Sequence, residues 1–181
     1  MRITGEQAQE LGRAAAARVL GHLEGERLIP RFIDSYVMGF DRPQLKSPAD
    51  QFRQRSSQLG WEALLLLSRL VLERCSARFF RFQLGPLRVP DAVARREFSA
   101  SFWSALAAGL PREGGATADL SRQAEGYRDP HQRLALFSSR IAPLLDPQPQ
   151  MKDKAEHAGR KFFQALEQVA GQVAARLFPT S

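Results

Sequence analysis

The stretch from Ser47 to Phe82 constrains this chain more than any other. Serine can cap a helix, proline fills the first helical position without losing a hydrogen bond, and Asp50 complements the positive helix end. From Leu59 to Leu72 almost every residue is apolar, including Trp61, Leu64, Leu65, Leu66, Leu67, Leu70, Val71 and Leu72. At 100° per residue the polar side chains Gln58, Glu62, Arg69, Glu73 and Ser76 fall in a sector of about 60°. A helix apolar over the rest of its circumference must be enclosed by others. The expected fold is therefore all-α: a single-domain bundle of about five to seven helices around a central hydrophobic helix spanning roughly 48–80.

The other helices are marked by their ends. Thr4 and Gln7 have the spacing of a capping box, and Leu11, Ala15, Val19 and Leu23 follow on one face with Ala8 and Ala16 beside them. This stripe is alanine-rich, so a partner helix can approach closely. Pro30 with Phe32, Ile33, Tyr36, Val37 and Phe40 predicts a second helix. Pro90 and Asp91 open another with a face of Ala94, Phe98, Phe102, Ala105 and Leu106. That helix is expected to stop at Gly109 in a left-handed cap, before Leu110 and Pro111. A short helix is expected over 119–125, and Asp129-Pro130-His131-Gln132 signals a further start, with Leu134, Phe137 and Ile141 inward and Pro143 kinking or ending it.

Residues 147–150 form a Pro-rich linker between a core, 1–146, and a long C-terminal helix, 151–178. Ala155, Gly159, Phe162, Leu166, Val169 and Val173 repeat by four and three along that helix, close to a heptad seam. The seam serves a partner helix or lies along the chain's own bundle, making one domain in all.

Chemistry is harder to find. His22, His131 and His157 share no ligand spacing, and HExxH, paired-cysteine and EF-hand patterns are missing, so no metal or cofactor is expected. Neither GxSxG, GxxxxGK[ST] nor GxGxxG occurs. The lone Cys75 lies between Arg74 and Arg78, which could activate a thiol, but its plain reading is a small packing residue. The most specific polar feature is the stripe Glu62, Arg69 and Glu73 on the central helix. Its plain account is an ion pair between Arg69 and Glu73; facing a cavity, it becomes a polar site.

The formal net charge is +7, and of the 26 cationic side chains only Lys46, Lys152, Lys154 and Lys161 are lysines. Arginine forks suit anionic partners. Arg74, Arg78, Arg81, Arg88, Arg95 and Arg96, interleaved with Phe79, Phe80 and Phe82, have the composition of a nucleic-acid surface. Residues 118–134 bear a loose similarity to a helix-turn-helix, with the glycine one position late.

The leading expectation is thus a non-enzymatic helical interaction module, an adaptor, regulator or assembly subunit that binds a protein partner or itself. A nucleic-acid-binding regulator using 74–96 is the alternative. A helical small-molecule binder or enzyme, with a site assembled from dispersed residues such as Tyr36, Trp61, Glu62, Trp103 and Tyr127, is the second. No apolar run reaches the length of a membrane span, and residues 1–10 carry no apolar signal core, so the expected address is cytoplasmic.

Overall fold

The computed structural model describes residues 4–25, 49–83, 92–110, 119–145 and 152–178. All regular structure among them is helical: α1 (Gly5–Leu20), α2 (Ala49–Gln83), α3 (Ala92–Ala108), α4 (Leu120–Ala124), α5 (Arg133–Leu145) and α6 (Lys152–Leu177). A π-helical turn, Gly21–Gly25, extends α1, and a 3-10 turn, Glu125–Tyr127, follows α4. The all-α bundle expected from the sequence is the architecture found. The helix expected from Pro30, the cap at Ser47 and the linker 147–150 lie outside the described residues.

The local signals act as chemistry requires. Thr4 Oγ1 accepts from the Gln7 amide at 3.2 Å while Gln7 Oε1 accepts from the Thr4 amide at 2.9 Å, a closed capping box. Asp129 Oδ1 accepts from the His131 amide at 2.9 Å, and the Asp129 carbonyl accepts from Gln132 and Arg133, so the aspartate starts the turn that feeds α5. Pro143 stands in the last turn of α5.

Central helix α2 is enclosed as its composition demands. Leu59, Ala63 to Leu67, Leu70, Val71 and Cys75 are buried, and α6, α5, α1 and α4 pack around it. It runs antiparallel to α5, Glu62 facing Arg140 and Glu73 facing Arg133. Helix α6 returns antiparallel to α5, where Phe137 meets Phe162 and Phe163 at centroid distances of 5.7 and 6.2 Å. Arg78 Nη1 donates to the Phe178 carbonyl at 2.9 Å, pinning the end of α6 to α2.

Helices α1 and α3 lie parallel and unusually close. A Cβ at Gly12 would stand 2.5 Å from the Phe98 carbonyl oxygen and 3.0 Å from the Phe102 nitrogen. Ala8, Ala15, Ala16 and Val19 of α1 are buried, and Ser101 Oγ donates to the Gln9 carbonyl at 2.6 Å. Gly12, a residue outside the expected alanine-rich stripe, permits this approach.

One expectation needs correction. Gly109 is not in the left-handed region; its amide still donates to the Ala105 carbonyl at 3.1 Å, continuing the helical pattern. The neighbour that crowds it is the Leu20 side chain, whose terminal methyl must move aside for any Cβ at this position.

Two glycines should therefore respond oppositely to the same change. Gly12→Ala should lower stability by about 1–3 kcal/mol, since backbone atoms block the new methyl. Gly171→Ala, with nothing within 4 Å of its added Cβ, should gain about 0.5–1 kcal/mol from helix propensity. Urea unfolding of both variants checks the signs.

Candidate functional site

The polar stripe of α2 is where the described side chains converge. On a helix so enclosed, a narrow sector is all that remains for charged groups, and residues 62, 69 and 73 repeat at intervals of two turns and one, bringing them onto one line. That line faces the segment 119–145.

Two carboxylates anchor the arrangement. Glu62 Oε2 accepts from the Tyr127 hydroxyl at 2.5 Å and from Arg140 Nη1 at 3.4 Å. The Arg140 guanidinium also lies over the Tyr127 ring, 5.2 Å from its centroid. Glu73 Oε1 accepts from Arg133 Nη2 at 2.6 Å and from Arg69 Nε at 3.2 Å. Arg133 further donates to the carbonyls of Tyr127 at 2.8 Å and Arg128 at 3.4 Å. Arg69 reaches Glu125 at 3.6 Å, which in turn pairs with Arg128. Trp61 Nε1 donates to Gln123 Oε1 at 2.9 Å at one flank.

The expected ion pair between Arg69 and Glu73 is present, within a larger network. The stripe is covered by α4, the 3-10 turn and α5, and each carboxylate already holds two partners. Arg133 is 7% exposed in its side chain, and such a charge is tolerable only when paired and hydrogen-bonded, as it is here. Burial first, and the Glu62 carboxylate second, push the Tyr127 hydroxyl well above the ordinary phenol range. It stays a proton donor to Glu62.

Sequence reasoning identified the α2 half of this network and missed Tyr127 as its partner, with Arg133 and Arg140. One signal was legible. Arg133 stands four and eight residues before Phe137 and Ile141, on the apolar face of α5. An arginine in that register requires a counter-charge from a neighbouring helix.

The other singled-out residues are dispersed. Arg74 pairs with Glu167 at 3.8 Å and Arg78 is bonded to Phe178, so both face α6. Arg95 and Arg96 are exposed on α3. The side chain of Arg81 and all of Arg88 lie outside the described residues, as do the rings of Phe79, Phe80 and Phe82. Along the α6 seam Gly159, Phe162, Leu166 and Val173 are buried and Val169 is half-buried; the side chain of Ala155 is not among those described. The seam faces this chain's own bundle at Gly159, where a Cβ would lie 3.3 Å from Ile141 Cδ1. Trp103 packs edge-on against Phe102 on α3, and Tyr36 lies outside the described residues. In the segment similar to a helix-turn-helix the first helix has five residues, and Tyr127 and Arg133 are buried.

Cys75 is fully buried, and desolvation outweighs the nearby Arg78, pushing the thiol from 9.0 up to about 12. Activation by flanking arginines is thus overturned by burial. Among the described residues no three His, Cys, Asp or Glu side chains gather to hold a metal ion. An open groove of about 370 Å³ runs between α1 and α3, lined by Gln9, Arg13, Glu97, Ser101 and Ser104 among others. Gln9 and Glu97 in it are bonded to each other at 2.7 Å. No helix among the described residues is long and apolar enough to cross a membrane.

The raised acidities have a signed consequence. Cys75 and Tyr127 are both neutral in the fold while the unfolded chain ionises from about pH 9 and 10. Stability they contribute is full below those values and declines as pH rises through them. Urea midpoints should fall above pH 9, and Cys75→Ala and Tyr127→Phe should each flatten the slope. A thiol reagent at pH 8 should leave the native chain unlabelled and react once it is unfolded.

No protein-family model, curated protein or solved structure matches this chain.

Proposed function

We propose that the chain is a non-enzymatic helical interaction module that binds another protein, as an adaptor, regulator or assembly subunit, through its charged outer helix faces. The observation that carries this reading is the commitment of the α2 stripe. Glu62, Arg69 and Glu73, the residues best suited to a polar site, are each bonded within the chain to 119–145.

The contact surface expected for such a module changes accordingly. Gly12 of α1 packs against α3 and Gly159 of α6 against α5 of the same chain, so these points of close approach are taken up within the fold. Among the described residues the exposed large hydrophobic is Val93 alone. Arg13, Arg95, Arg96, Arg122, Arg160, Lys161 and Arg176 are exposed, and the chain carries +7. An acidic protein surface complements such faces and is steered to them over a Debye length. The basic stretch 74–96 supports nucleic-acid binding less well, because Arg74 and Arg78 are paired with α6.

Light scattering of the purified chain, followed by affinity capture at low salt with mass-spectrometric stoichiometry, tests the proposal. The expected result is a self-associated species or one protein partner at fixed ratio, released as salt rises. A strictly monomeric chain that retains no protein, yet retards RNA or DNA at low salt, would reverse the order of the two readings.

A further inference from the structure

The described contacts of 119–145 with the rest of the chain differ in kind from those between α1 and α3. On one side they are ionic, around the buried Arg133 guanidinium, and otherwise partly solvated: Glu62 is 20% exposed in its side chain, Glu73 34%, Arg140 39% and Glu125 51%. On the other they are aromatic, Phe137 against Phe162 and Phe163, with Ile141 over Gly159. By contrast α1 and α3 meet backbone to backbone, and Leu59 to Leu72 of α2 is enclosed. Apart from Arg133–Glu73 these ion pairs are partly exposed and contribute less than packed surface, so the ionic side, held chiefly at that one buried guanidinium, is where the bundle separates at least cost.

The segment is also bound into one piece. Arg133 grips the carbonyls of Tyr127 and Arg128, the Tyr127 ring packs edge-on against Phe137 at 6.2 Å, and Arg140 covers the same ring. The 3-10 turn therefore cannot leave α2 while α5 stays. Glu73 is the decisive contact, because without it the buried guanidinium of Arg133 keeps two carbonyls but no counter-charge.

We propose that residues 119–145 form a cover that opens as one unit from α2 and α6, with Glu73 and Glu62 as its latch. Closed, it seals Gly159, Phe162 and Phe163; open, it presents them. Such opening is a property of the chain alone, whatever it binds.

Hydrogen exchange of the full-length chain, read by mass spectrometry under native conditions, tests this. In the unsubstituted protein, amides of 134–142 should exchange at least about tenfold faster than those of 63–72. Glu73→Gln should speed exchange over 121–142 together by about tenfold or more, leaving 63–72 and 94–106 unchanged. Should that variant not fold, Glu62→Gln, whose carboxylate faces the more exposed Arg140, is read in its place. Equal protection of 134–142 and 63–72 in the unsubstituted chain overturns the proposal. So does acceleration spread evenly over all helices, or confined to 127–133.

Discussion

Enclosure of α2 is the constraint on which the rest of this molecule depends. A helix that is apolar over most of its circumference leaves one narrow sector for charge, and every neighbour must be placed with respect to that sector. Helices α1 and α6 pack on apolar parts of its surface. The segment 119–145 takes the sector itself, where carboxylates and guanidinium groups substitute for hydrophobic contact. Both kinds of packing follow from the same fourteen residues, Leu59 to Leu72, and their immediate flanks.

This division explains what could be read from the sequence. Capping at Thr4 and Asp129 depends on side chains two or three positions from the amides they bind, so local pattern suffices. The line of Glu62, Arg69 and Glu73 follows from helical periodicity alone. Their partners do not: Tyr127 and Arg140 reach Glu62 across 65 and 78 positions, and Arg133 reaches Glu73 across 60. Glycine was misjudged at 109 for a related reason. Its local context matched a left-handed stop, whereas the observed close neighbour is the Leu20 side chain, on a different helix. Signals confined to one helix were legible; those created by two helices meeting were not.

The small-residue faces carry a similar lesson. In a sequence, an alanine-rich stripe or a heptad-like seam says that something packs there, without saying whose helix it is. Here α3 occupies the first and α5 contacts the second at Gly159 and Phe162. Association through Gly12 or Gly159 requires that an internal helix first give way, and among the described residues the exposed large hydrophobic is Val93 alone.

The two carboxylates of α2 stand eleven residues apart, while the arginines they hold on α5 stand seven apart. The two spacings work as a vernier. At a rise of about 1.5 Å per residue they differ by roughly 6 Å, a gap that two long arginine side chains can share between the ends of the ladder. Slide α5 by one turn along α2 and one pair stays within reach while the other is pulled apart by a full pitch, about 5.4 Å more. Interdigitated aromatic side chains resist such a slip by shape, and the unequal rulers resist it by charge. The alignment of α5 on α2 is therefore marked by charge positions as well as by side-chain shape.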